Sequence, residues 1–234
     1  MLDFTLRSTE PERMDYEILS RQQLQTALDD ISRVNTWLGG NGITISALAR
    51  LYKQWKPNRP LRIMDVGCGD GTLLRLISDR LNGMNIPVEG IGIDINPQNI
   101  ELAREKTQTN TLSFREQDIY KIQENDLDVD VVICTLTLHH FPNEDLKTLL
   151  QQMLKITKKA IIINDLHRSK LAYYLFKGIS RVMIRSDVAR HDGLVSVQRG
   201  FVREELENLS ELLPVSSYEL DWKWAFRYLW ILHK

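Results

Sequence analysis

Ile63-Met64-Asp65-Val66-Gly67-Cys68-Gly69-Asp70-Gly71-Thr72 is the stretch that decides the fold. An apolar run of strand character ends in a turn of three alternating glycines, and an amphipathic segment follows. Glycines at 67, 69 and 71 let the backbone turn tightly and approach a ligand without a Cβ in the way, while the following helix offers unpaired N–H groups. A Gly-rich turn carries this meaning only between a strand and a helix, which is where this one lies. The expected ligand is of nucleoside type.

Downstream, short apolar runs alternate with amphipathic stretches, the texture of βαβ units and a parallel sheet. Strands are expected near 61–66, 88–93, 111–115, 129–134 and 160–164, with helices near 71–82, 97–108 and 143–156. Then come an apolar helix near 169–184, a loop through His191-Asp192-Gly193, a helix near 203–212, and two strands near 215–222 and 225–232 close enough to form a hairpin. Upstream, apolar residues recur at about 3.6 residues from Leu19 to Leu38 and again from Ile45 to Trp55. Gly39-Gly40 and then Pro57 and Pro60 close these two helices. The domain reading is an N-terminal helical cap over 1–58 and an α/β domain over 59–234 with a lid-like insertion near 168–200.

Composition narrows the function. In 234 residues, 30 Lys+Arg face 31 Asp+Glu, and the chain is 43% apolar and 26% charged, as in ordinary globular proteins. Neither a basic excess nor a Lys/Arg stripe marks a nucleic-acid partner. The longest apolar runs, 130–138 and 160–163, fall far short of the roughly 20 residues of a membrane-spanning helix. The opening MLDFTLRSTEPERMD has acidic residues and a proline where a signal peptide would be apolar, so a cytoplasmic protein is expected. Cys68 and Cys134 are too few for a disulfide framework, and no His or carboxylate spacing suggests a metal site.

Asp94 ends the second expected strand, where a carboxylate can accept both hydroxyls of a ribose. Asp118 follows the third, where a carboxylate could meet the amino group of an adenine. The structural alternative is that each caps the helix after it. Together, Asp65-Val-Gly-Cys-Gly-Asp-Gly, Asp94, Asp118 and Leu138-His139-His140-Phe141 resemble the class I S-adenosylmethionine-dependent methyltransferase family over about residues 60–165. The resemblance implies a Rossmann-like, doubly wound α/β fold whose seven-stranded sheet is mostly parallel with an antiparallel last strand. It implies S-adenosylmethionine as cofactor, held by Asp65, Gly67, Cys68, Gly69, Gly71, Asp94, Ile95, Asp118, Ile119 and Thr135. Many relatives carry a Pro-Gly-Gly turn before strand 5, and this chain has Lys155-Ile-Thr-Lys-Lys there.

Met14-Asp15, Val34-Asn35-Thr36-Trp37-Leu38-Gly39-Gly40, Asn164-Asp165-Leu166-His167-Arg168, His191-Asp192-Gly193 and Arg199-Gly200-Phe201 resemble a bacterial subgroup associated with type III polyketide synthase pathways. That resemblance implies secondary metabolism and a small aromatic, polyketide-like or quinone-like acceptor, methylated at oxygen. A phenolic acceptor would benefit from a histidine base. The candidates are His167 and His191, then His139 with His140; in the bland reading these are helix caps or packing residues. The apolar stretch 171–184 must bury more than one face, as a substrate lid, a homodimer contact, a membrane-surface contact or a sandwiched helix. The period-two aromatics Trp222, Trp224, Phe226, Tyr228 and Trp230 read as a packed strand face. Two other functions stay open, an NAD-dependent oxidoreductase and a non-catalytic cofactor-binding protein. The first needs a glycine where Thr72 stands and leaves Asp118 without a duty.

Overall fold

The computed structural model describes residues 3–123 and 127–234. Its centre is β4 (Val129–Thr135), a Val/Ile-rich run buried up to its last residue, as a strand covered on both faces must be. Around it lie β1 (Leu61–Val66), β2 (Val88–Asp94), β3 (Leu112–Glu116), β5 (Thr157–Leu166), β6 (Ser217–Lys223) and β7 (Arg227–His233), in the spatial order β3-β2-β1-β4-β5-β7-β6. The first five run parallel, and β7 inserts antiparallel between β5 and β6. Strand order reverses between β1 and β4, and the carboxyl ends there frame the crevice in which open α/β sheets bind ligands.

Alternate residues of each strand feed two cores. Ile63, Val131, Ile133, Ile162 and Ile231 pack under α3 (Gly40–Trp55), α4 (Thr72–Asn82) and α5 (Pro97–Glu105). Met64, Val132, Cys134, Ile161 and Trp230 pack under α6 (Asn143–Ile156) and α9 (Arg203–Glu211). Cys68 and Cys134 are buried free thiols in opposite cores. The Pro-Gly-Gly turn is replaced by a direct entry from α6 into β5. Thr157 Oγ1 donates to the Asp130 carbonyl at 2.9 Å, and the β4–β5 register shifts just beyond.

The N-terminal residues contribute a short α1 (Arg13–Tyr16) and α2 (Arg21–Trp37), the latter started by a Ser20/Gln23 capping box. The periodicity places the next helix at Ile45, but α3 starts at Gly40, because Gly39 takes a left-handed φ of +76° and turns the chain within one residue. Its Leu48 and Leu51 are fully buried in the first core, so α3 is a layer of the sandwich.

Two expectations about the insertion are corrected. Residues 191–193 are not a loop but lie inside α8 (Asp187–Arg199), which follows α7 (Lys170–Met183). Gly193 is there for packing rather than turning, since a Cβ on it would lie 2.3 Å from the Phe176 ring of α7. Nor does the apolar stretch bury more than one face: Ala172, Tyr173 and Ser180 are buried, while Leu171, Tyr174, Leu175 and Val182 are exposed. The sandwiched helix is α8. The aromatic row also divides, with Tyr228 and Trp230 in the core and Trp222 and Trp224 exposed. No helix among the described residues is long and apolar enough to cross a membrane.

Asp30 of α2, fully buried, holds the insertion down. Its carboxylate accepts the N–H groups of Arg185 and Ser186 between α7 and α8 at 2.7 and 2.8 Å. Asp30→Ala removes the acceptor of two part-buried N–H groups and empties a fully buried position, a loss of about 0.5–1.5 kcal/mol per hydrogen bond. The expected result is faster amide exchange across residues 170–199 with the sheet unchanged; unaltered protection there would show that other contacts hold the roof.

Candidate active site

A cavity of about 1000 Å³ opens at the carboxyl edge of the sheet beside β1, β2 and β4. Of the residues named from the sequence, Asp65, Gly67, Cys68, Gly69, Asp94, Ile95, Asp118, Ile119, Thr135 and His139 line it. Gly67, Gly69 and Gly71 all have positive φ. At Gly69 the nearest atom to an added Cβ is Leu28 Cδ2 at 3.8 Å, so this glycine leaves space open. At Gly71, which does not line the cavity, a Cβ would meet the Phe114 ring at 2.5 Å; its role is packing.

Asp94 braces the turn. Its Oδ2 accepts the Gly69 N–H and its Oδ1 the Asn96 N–H, both at 2.9 Å, while Asn96 rather than Asp94 caps α5. Burial raises the Asp94 pKa, and these backbone donors pull against that rise. Asp65 is more deeply buried, and burial together with the Asp94 charge pushes it up to about 8. Burial and the neighbouring Asp94 thus favour the neutral form of Asp65. Burial also pushes both cysteine thiols far up, away from nucleophilic thiolate. Asp118 lines the cavity and also caps the short turn at 119–121, its Oδ1 accepting the Tyr120 N–H at 2.9 Å. Ile95, 76% exposed, and buried Ile119 offer apolar surface beside it.

His167 and His191 do not line the cavity. His167 belongs to an aromatic patch, its Nδ1 accepting the Trp222 Nε1–H at 3.2 Å and its ring stacked on Phe226. Burial there lowers its pKa, with help from the Arg168 charge. Neither it nor Asp165 caps α7; Ser169 does. His191 lies half exposed on α8, near Glu10 and Asp192. Its neighbour Asp192 does line the cavity and caps α1, accepting the N–H groups of Arg13 and Met14 at 2.8 and 3.0 Å.

His139 is held at both nitrogens. Nδ1 lies 2.6 Å from Asp165 Oδ1 of β5, and Nε2 lies 3.2 Å from Glu12 Oε1 of the N-terminal segment. Burial alone would lower its pKa, but the two carboxylates outweigh burial and raise it to about 9. Burial likewise opposes the charge on Glu12, yet His139 and His140 bring it down to about 2. His139 is therefore an imidazolium at neutral pH, with no lone pair to accept a proton. Glu12, His139 and His140 also bring ligand-type atoms within 4.8 Å of one another, a grouping that residue spacing does not reveal. His140 lines the cavity with its ring partly exposed and its Nδ1 3.1 Å from Asp15 Oδ2. Sequence reasoning missed Glu12, because its partners lie more than a hundred residues away.

The linkage has a definite sign. A histidine raised from 6.5 to about 9 contributes stability that is complete below 6.5 and is lost as pH rises through 9. Glu12, lowered from 4.5 to about 2, contributes stability that is complete above 4.5 and lost as pH falls through 2. The melting temperature should therefore decline between pH 6.5 and 9 in the wild type, and less so in His139→Gln. Parallel profiles would place His139 outside the ion pairs.

Residues 63–160 match the profile of a methyltransferase domain. The chain is 32% identical over 118 residues to the ubiquinone biosynthesis O-methyltransferase of Rickettsia bellii, covering 49% of this chain and 46% of that one. It is 24% identical over 167 residues to the malonyl-[acyl-carrier protein] O-methyltransferase of Bacillus cytotoxicus, covering 70% and 55%. The chain thus spans about half the length of these relatives. Among solved structures, the plantazolicin methyltransferase BpumL in complex with SAH superposes with a TM-score of 0.66 at 17% identity, over 92% of this chain and 95% of that one. Residues 63–160 therefore belong to the methyltransferase domain family, and the chain around them carries the class I methyltransferase fold.

Proposed function

We propose that this chain transfers a methyl group from S-adenosylmethionine to an oxygen of a small, largely apolar acceptor. The observation that carries this reading is the braced turn. Gly69 leaves its Cβ space open to the cavity, Asp94 fixes the turn through the Gly69 N–H, and Asp118 and Ile119 stand at the next strand end. The residues fit the group: Gly67 and Gly69 would face the methionine part, Asp94 the ribose, and Asp118 with Ile95 and Ile119 the adenine. When bound, the cofactor supplies an electrophilic methyl on a sulfonium. Asp65, its neutral form favoured while the site has no cationic ligand, can ionise beside one.

The protein contributes alignment and exclusion of water, worth about 7–11 kcal/mol in well-oriented reactions. The insertion provides much of that enclosure, since Phe176, Ile179, Ala189 and Val197 of α7 and α8 line the same cavity. A small acceptor such as an aromatic, quinone-like or polyketide-like molecule suits these walls. With His139 locked, His140 is the histidine placed to take a proton from an acceptor that arrives protonated.

Calorimetric titration with S-adenosylmethionine and S-adenosylhomocysteine, with NADH as control, tests the cofactor. Asp94→Asn should weaken binding of both sulfur compounds by about 1.5–3 kcal/mol, the range for a hydrogen bond to a charged group. Unchanged affinity in a folded variant would take Asp94 out of the ribose site, and binding of NADH alone would replace methyl transfer with hydride transfer.

A further inference from the structure

Orphaned polar groups gather at one corner of the cavity. Arg227, at the start of β7 opposite Leu166, is 3% exposed and lines the cavity, yet its Nε and Nη1 have no hydrogen-bond partner. Asn35 Oδ1, on α2, is buried without a donor and also belongs to a lining residue. The two are neighbours across Gly40, where an added Cβ would lie 2.0 Å from Asn35 Oδ1 and 3.0 Å from Arg227 Cζ. Behind them Asn164 of β5 spends its amide N–H groups on the Gly40 carbonyl at 2.9 Å and Thr44 Oγ1 at 3.1 Å, and its Oδ1 is orphaned too.

Buried charges are found paired, and a guanidinium, with five donors in a fixed fork, is suited to carboxylate-like oxygens. Burial lowers the Arg227 pKa to about 10, which leaves it charged at neutral pH, and the Asp165 charge acts on it without a direct contact. Asp165 itself is committed to His139. A structural arginine would spend its donors on carbonyls, as Arg199 does on those of His139 and Glu10 at 2.9 and 3.0 Å. Arg227 lines the cavity with two of its nitrogens unspent.

We propose that Arg227 binds an anionic oxygen of the acceptor, so that the chain selects a small apolar acid, either a carboxylate or an acidic enol. The apolar body of such an acid suits Leu38, Phe176, Ile179 and Phe226 of the same cavity lining, and its charge meets the guanidinium left unpaired there. This rests on the methyltransferase reading for the acceptor's role but concerns binding alone.

The test is calorimetric titration of the full chain with matched pairs, octanoate against methyl octanoate and dimedone, an acidic enol, against its enol methyl ether. Each acid should bind at least about tenfold tighter than its neutral partner, the equivalent of one charge-assisted hydrogen bond. Preference for octanoate alone assigns a carboxylate, and preference for dimedone alone assigns an enolate. Arg227→Met should abolish the preference while leaving ester binding intact, and Arg227→Lys should keep part of it. Equal affinities within both pairs, no binding of either acid, or a preference that survives Arg227→Met would overturn the assignment. The wild-type comparison decides the matter even if the variants fail to fold. Parallel titration with S-adenosylmethionine separates the two readings: acid selectivity without cofactor binding removes the methyltransferase activity and keeps the subsite, and the reverse removes only the subsite.

Discussion

His139 joins three parts of the chain that local structure would leave separate. It reaches Asp165 on the sheet edge with one nitrogen and Glu12 in the N-terminal segment with the other. Glu12 in turn accepts the hydroxyl of Ser196 on α8 at 2.7 Å. Removing one partner of a buried ion pair costs about 3–5 kcal/mol, because the other charge is stranded. Sheet edge, N-terminal segment and roof therefore close as a unit. Arg199 and Arg7 reinforce the same point, both donating to the His139 carbonyl at 2.9 Å.

The floor of the cavity is fixed by a different constraint, the crowding where β4 leaves the sheet. Leu136 takes a left-handed φ of +53°, a conformation costly for a branched side chain. The turn it makes brings Thr137 over the glycine loop, where a Cβ on Gly67 would lie 2.4 Å from the Thr137 side chain. Gly67 is thus required by its neighbour as much as by its own positive φ. Strain at the end of a central strand is tolerable when the packed cores on both faces over-determine the backbone, and here it falls where strand order reverses.

The sheet and the strand ends that line the cavity were legible because their signals are local. A strand, a glycine turn and a helix in succession specify one βα unit, and Asp94 and Asp118 fall at the next two strand ends. Short-range reasoning failed where long-range packing decides. Gly193 reads as a loop residue until Phe176 is seen to need its space, and His139 reads as a base until Glu12 and Asp165 are seen to occupy both its nitrogens. Asn35, Gly40, Asn164 and Asp165 belong to segments that drew attention in the sequence without acquiring a role. Their meaning is joint: Asn35 and Arg227 meet across Gly40, and Asn164 holds its carbonyl. No periodicity relates α2, β5 and the start of β7.

Base catalysis is one way to supply an oxygen nucleophile, and electrostatic ionisation is another. A neutral phenol, with a pKa near 10, needs a proton acceptor within reach at neutral pH. A carboxylate or acidic enol arrives ionised and needs only a cation that holds it in place without the dielectric screening of water. Among the described residues His140 suits the first requirement and Arg227 the second, but their situations differ. His140 already has Asp15 and Glu12 within 3.1 and 3.6 Å, so its nitrogens have partners without any acceptor. Arg227 is buried with two donors unspent, an arrangement whose cost falls when an anion arrives. The unbalanced group is the one that tells acceptors apart, because its energy changes most between a charged ligand and a neutral one.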